Sequence, residues 1–120
     1  MKIVVVDDEP TIVQMCLKVL SEQGHAVQGF SNTREALSYL GGGPSVDLLI
    51  VDYKMPELNG FEFIERAWVL HPKMRVVMIT AHGTQELLGH ASDTGVHGLV
   101  LKPFTPAELA RTIKTAMEER

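Results

Sequence analysis

Three stretches of the chain are apolar with no polar alternation: Ile3-Val4-Val5-Val6, Leu48-Leu49-Ile50-Val51 and Val76-Val77-Met78-Ile79. Each is too short for a helix, and each carries β-branched residues, so each reads as a strand buried on both faces. Strands of that kind belong to parallel sheets with helices packed on both sides. All three runs stop at polar residues: Asp7-Asp8-Glu9 after the first, Asp52 after the second, Thr80 after the third. This pattern fixes the type of sheet and gathers polar groups along one edge of it.

The segments between the runs have helical spacing. Pro10 suits the first turn of a helix, where its missing N–H costs nothing, and Ile12, Val13, Cys16, Leu17 and Leu20 recur on one face before Gly24. Residues 26–30, interrupted by Gln28 and Gly29, make a weaker strand suited to an edge. Asn32 and Glu35 have the spacing of a capping box, and Ala36, Leu37 and Leu40 supply the helix behind it. Gly41-Gly42-Gly43-Pro44 reads as a loop, without the Lys-Ser/Thr that a phosphate cradle requires. Glu57-Leu58-Asn59-Gly60 reads as a turn. The helix after it buries Phe61, Ile64, Trp68 and Val69, and His71-Pro72 closes it.

Thr84 is placed to cap a fourth helix running to Gly95, which Gly89 weakens by about 1 kcal/mol relative to Ala. Leu99-Val100-Leu101 forms the last strand and ends at Lys102-Pro103-Phe104. Thr105-Pro106-Ala107-Glu108 is a capping box with Pro at the first helical position, and Leu109, Ile113, Ala116 and Met117 mark the buried face beyond it. Strand and helix therefore alternate five times. Short connections between parallel strands are right-handed crossovers. The expected fold is α/β, a single doubly wound five-stranded parallel sheet in the order 2-1-3-4-5, with one domain over residues 1–120.

The net charge of −4 argues against nucleic acid as a direct partner, since phosphate neutralisation needs a basic face. A lone cysteine, Cys16, excludes an internal disulfide and belongs to the apolar side of its helix. No apolar run approaches the roughly 20 residues that span a bilayer. The start is too soon acidic for a signal peptide, so the expected address is cytoplasmic, with no membrane contact.

Four of the five strands end in residues able to do polar chemistry: Asp7-Asp8, Asp52, Thr80 and Lys102. In a parallel sheet these ends share one edge, and open α/β folds bind their ligands there. An Asp–Lys ion pair with spare acids on a solvated rim would leave that coincidence unexplained. Crowded carboxylates resist ionisation unless a cation intervenes, and oxygen-only ligands select a hard ion, Mg2+ above others. Lys102 adds an ammonium, expected at a solvent-open edge, and Thr80 a hydroxyl donor. The set fits phosphoryl transfer onto a carboxylate, with Asp52 as nucleophile.

Asp7-Asp8, Asp52 with Met55-Pro56 and Asn59-Gly60, Thr80-Ala81 and Lys102-Pro103-Phe104 closely resemble the receiver domain of bacterial two-component response regulators. The resemblance covers essentially the whole chain and implies a flavodoxin-like, CheY-like (βα)5 fold. It implies that Asp52 accepts a phosphoryl group from the phosphohistidine of a sensor histidine kinase or a histidine phosphotransfer protein. It further implies that Asp8 and Asp52 bind Mg2+ directly, Asp7 through water, and that the backbone carbonyl of Lys54 completes the protein ligands. Thr80 and Lys102 would hold the acyl phosphate. The chain would be a regulatory phosphoacceptor rather than an enzyme, assisting its own phosphoryl transfer and dephosphorylation. It would control an output domain or partner through the face made by helix 4, strand 5 and helix 5.

Two positions depart from the family pattern. Leu99 stands where receivers usually carry an aromatic three residues before the lysine, and His82 stands two after the threonine, where side chains influence phosphate lifetime. The competing reading is a Mg2+-dependent aspartyl-phosphate hydrolase similar to haloacid dehalogenases. Those enzymes need an acid two residues after the nucleophile, and Lys54 occupies that place. A flavin or nucleotide module of the same architecture lacks any phosphate-cradling loop and gains nothing from three acids.

Overall fold

The computed structural model describes residues 1–118. Its elements are β1 (Lys2–Val6), α1 (Pro10–Glu22), β2 (Ala26–Phe30), α2 (Thr33–Gly41), β3 (Leu48–Asp52), α3 (Gly60–Leu70), β4 (Arg75–Thr80), α4 (Gln85–Thr94), β5 (Gly98–Leu101) and α5 (Pro106–Glu118). The five strands form one parallel sheet in the order β2-β1-β3-β4-β5. The expected architecture and strand order are therefore both present.

Because side chains alternate along a strand, each buried strand feeds two cores. Val4, Val6, Leu49, Val51, Val76 and Met78 face α2, α3 and α4. Ile3, Val5, Leu48, Ile50, Val77 and Ile79 face α1 and α5. The unbroken apolar runs are thus required by the layer arrangement: neither face of a central strand meets water. β2 lies at an edge, as its interruptions suggest, and Gly29 has a packing role there. A Cβ on Gly29 would come within 2.5 Å of Val13 Cγ1, so the missing side chain lets α1 lie close on β2.

The helix starts follow local chemistry. Asn32 Oδ1 accepts from the amides of Arg34 and Glu35, Thr84 Oγ1 from Leu87, and Thr105 and Glu108 complete a reciprocal box. Asn59, read from sequence as part of a turn, also caps a helix: its side chain accepts from the Glu62 amide while Glu62 accepts from its own. The buried face of α3 needs one correction. Val69 is 80% exposed, and fully buried Phe63 takes the core place instead. The stripe that begins at Phe61 and Ile64 continues through Ala67, and Trp68 packs half-buried against the same core as expected.

Gly60 sets the distance between α3 and the end of β3. Its amide donates to the Tyr53 carbonyl at 2.7 Å, and a Cβ there would come within 2.7 Å of the Asp52 carbonyl oxygen. Two effects oppose in Gly60→Ala. Helix propensity favours Ala by about 1 kcal/mol. Overpacking against backbone, which cannot rotate away, costs about 1–3 kcal/mol. The second is expected to win, so Gly60→Ala should lower stability by about 1–2 kcal/mol in urea denaturation. A variant at least as stable as wild type would show that the close approach is not a constraint.

Candidate functional site

The C-terminal ends of β1, β3, β4 and β5 converge on one cleft of about 520 Å³. It is lined by Asp8, Glu9, Asp52, Lys54, Met55, Pro56, Ala81, His82 and Lys102. β1 and β3 are neighbours, with Val6 level with Val51, so the residues that follow, Asp7 and Asp52, emerge side by side. Lys102 leaves β5 toward the same point, and its amide donates to the Thr80 carbonyl at 2.7 Å.

The ammonium of Lys102 lies 2.9 Å from Asp7 Oδ2, 2.8 Å from Glu9 Oε1 and 3.4 Å from Asp52 Oδ2. The expectation of a solvent-open lysine is corrected, because its side chain is only 10% exposed. Asp7 is fully buried. Its Oδ1 accepts from the Glu9 amide at 2.9 Å, while Oδ2, although close to the ammonium, has no hydrogen-bond partner among the described residues. Asp8 is exposed on the cleft wall. Thr80 is fully buried, and its Oγ1 accepts from the His82 amide at 2.9 Å, so Ala81 and His82 present that strand's end to the cleft.

The site is short of positive charge. Burial raises the Asp52 carboxyl to about 7, the charge on Asp7 adds to the rise, and Lys102 offsets only part of it. Burial also holds Asp7 above its ordinary range despite its contacts with Lys102 and the Glu9 amide. For Lys102, burial pulls the ammonium down, but Glu9, Asp7 and Asp52 outweigh it and hold it above its usual range. Burial, with Asp7 second, pushes the Cys16 thiol up to about 11 and leaves it unreactive.

A cation fits this arrangement. Ligand oxygens of Asp7, Asp8, Glu9 and Asp52 lie within 4.8 Å of one another, and buried Asp7 Oδ2, paired by charge with Lys102, has no hydrogen-bond partner among the described residues. Hard oxygen donors of this kind suit Mg2+.

The family model for the response regulator receiver domain matches residues 3–114. The chain belongs to this family. It is 32% identical over 120 residues to a chemotaxis protein CheY homolog of Campylobacter jejuni, covering 98% of this chain and 92% of that protein. It is 32% identical over 116 residues to the regulatory protein VanRc of Enterococcus gallinarum, covering 97% of this chain but only 49% of that one. The receiver domain thus spans about half of the latter relative and nearly all of the former. Among solved structures, a response regulator receiver domain protein from Clostridium thermocellum superposes with a TM-score of 0.87 at 32% identity, over 97% of this chain and 93% of that one. Receiver domains of two-component systems are regulatory phosphoacceptors, and Mg2+ is typical of the family. The hydrolase alternative finds no support in these relatives. Lys54 also stands where that chemistry needs an acid.

The sequence places Asp7, Asp8, Asp52, Thr80 and Lys102 along one sheet edge; of these Asp8, Asp52 and Lys102 line the cleft together with Lys54, whereas Asp7 and Thr80 are fully buried and do not line it, Asp7 reaching the site through Lys102. Glu9 was not singled out. Its signal is its place between Asp8 and Pro10, three residues past the end of β1.

The charge shortage has a measurable sign. Asp52 keeps its proton in the folded state from about 4, its ordinary value, to about 7, while the unfolded chain has lost it. Stability contributed at this position therefore falls as pH rises through that window. In metal-free protein, Asp52→Asn is expected to raise stability at about pH 8 by about 1–3 kcal/mol and to flatten the decline. Equal stabilities for variant and wild type at both about pH 5 and about pH 8 would contradict this electrostatic account.

Proposed function

We propose that residues 1–120 act as a phosphorylation-dependent switch in which Asp52 is the phosphoacceptor. The observation that carries the reading is the Asp52 carboxylate at a cleft wall, with one ammonium 3.4 Å away and further acids beside it. An Asp52 carboxylate oxygen attacks phosphorus, and the P–N bond to a donor phosphohistidine breaks. The bonding pair stays on the imidazole, which takes up a proton. The donor is a sensor histidine kinase or a histidine phosphotransfer protein.

Asp7, Asp8, Asp52 and the backbone carbonyl of Lys54 would hold Mg2+, which when bound offsets the charge of the phosphoryl oxygens. Lys102 pairs with one of those oxygens. Thr80 Oγ1 accepts from the His82 amide and so keeps its own proton to donate to another. Attack of water on the acyl phosphate returns Asp52, which makes the switch self-resetting. The domain acts in the cytoplasm. No helix among the described residues is long and apolar enough to cross a membrane.

The output surface is α4, β5 and α5, contacting an output domain or a separate partner protein and not nucleic acid directly. Leu88 on α4 and Leu101 on β5, 42% and 49% exposed, supply apolar contact area there. Leu99 packs half-buried against the core shared by α2, α3 and α4 and has no polar tip to turn outward. Gly89 sits mid-α4 with open space where a side chain would be. A marginal helix can itself be the bistable element of a switch.

Incubation with acetyl phosphate and Mg2+ is expected to add one phosphoryl mass to the wild type and none to Asp52→Asn. Undiminished labelling of that variant would place the chemistry elsewhere. Activation is also expected to change amide exchange across α4 when beryllofluoride and Mg2+ are added, with no rotamer change at Leu99. Identical exchange of α4 in both samples, with changes confined to the loops bearing Asp52 and Thr80, would move the output to another surface.

A further inference from the structure

Glu9 occupies the N-cap position of α1, yet its side chain makes no capping hydrogen bond. Its backbone carbonyl still accepts from the amides of Ile12 and Val13. The carboxylate instead crosses the cleft to Lys102 Nζ at 2.8 Å, the shortest of that ammonium's three ion pairs. The other two partners are buried at the ends of β1 and β3, whereas the Glu9 side chain is 57% exposed. Local helix chemistry is thus given up for a contact spanning 93 residues of sequence.

We propose that Glu9 is a positioning residue that competes with the phosphoryl group for Lys102. This rests on the assignment of Asp52 as phosphoacceptor. Glu9 holds the ammonium on the β1 side of the cleft, 3.4 Å from Asp52 Oδ2. A phosphoryl group on Asp52 brings oxygens that must draw the same ammonium away from Glu9. The strength of the Glu9–Lys102 pair therefore subtracts from the stability of the phosphorylated state. Removing the charge of Glu9 favours that state by freeing the lysine. Direct ligation of a cation by the same carboxylate, with Asp7, Asp8 and Asp52, would instead make Glu9→Gln bind Mg2+ more weakly.

Beryllofluoride, the mimic of the phosphoryl group, is titrated at saturating Mg2+ into wild type, Glu9→Gln, Lys102→Met and the double variant. Mg2+ alone is titrated by calorimetry. Glu9→Gln is expected to bind beryllofluoride about three- to tenfold more tightly, the range for loss of one partly exposed charged hydrogen bond. In the Lys102→Met background the same change should alter affinity by less than about twofold, since the group competed for is gone. A melting curve first establishes that Lys102→Met is folded, and Lys102→Gln replaces it if it is not.

Three results overturn the proposal: unchanged affinity in Glu9→Gln, an equal gain in both backgrounds, or weaker Mg2+ binding in Glu9→Gln. The second would mean a general field effect, and the third a metal ligand. Failure of the phosphoacceptor assignment is visible separately, because wild type would then bind no beryllofluoride, and the competition falls with it.

Discussion

Asp7 and Asp52 are carboxylates buried at the ends of adjacent parallel strands, and Lys102 lies within ion-pair distance of both. Strand order makes this crowding unavoidable. With β1 beside β3 and Val6 level with Val51, the next residue of each strand projects over the same edge. Two like charges taken out of water repel far more strongly than they would at a surface, and a single ammonium cannot offset both. The fold accepts this cost because it is laid on a sheet whose central strands bury apolar side chains on both faces. A buried ion pair is weak evidence for stability. Here it is better understood as an electrostatic deficit that a cation or a change in charge at Asp52 will relieve.

That deficit is useful only if the groups stay where they are, and much of the local structure secures them. The capping box of Asn59 and Glu62 fixes the start of α3, and the Gly60 amide ties that start to the Tyr53 carbonyl, one residue past Asp52. The Tyr53 amide donates to Ile79 at 3.0 Å, and the Lys102 amide to Thr80, so the strand ends are stitched across the cleft. The loop between β3 and α3 is closed at its ends by that same bond from Gly60 to Tyr53. Glu57 holds φ at 71° without being glycine, and its ion pair to Arg34 is 3.5 Å long between largely exposed side chains. Such a pair contributes little. The strand ends thus position the acids and the lysine, while Lys54, Met55 and Pro56 of the loop form the rim.

The parts legible in the sequence are those dictated by periodicity and by the chemistry of helix and strand ends. Unbroken apolar runs demanded a two-sided sheet, and the residues that ended them had to share an edge, which located Asp7, Asp8, Asp52 and Lys102 together. Caps at Asn32, Thr84 and Thr105 were readable because capping is local. What escaped depended on three-dimensional reach. Lys102 is long enough to fold back under three carboxylates, so the residue expected at an open edge became nearly buried. Glu9 looked like one more acid in a polar run, and only its distance from a residue 93 positions away distinguishes it. Val69 is exposed because it follows Trp68 on the outer side of the last turn of α3, while Phe63 joins Phe61 and Ile64 where the first turn meets the sheet.

Leu99 and α4 bear on how a charge change at one edge can reach a distant surface. An aromatic that swings inward would couple the two through β5, but a half-buried leucine offers no such pivot. Another contiguous set of rings runs from the site to α4. Tyr53, next to Asp52, meets Phe61 edge-on at 5.5 Å, and Phe61 stacks on His90 of α4 at 3.8 Å. Contiguity alone does not establish coupling, which requires an element with two arrangements. It does impose a steric condition. α4 cannot shift along α3 without dragging His90 across the face of Phe61, and Phe61 is packed against the residue that follows Asp52. With Gly89 loosening the middle of α4 and His90 directly after it, the weakest point of the helix lies beside its contact with the ring that leads back to the site.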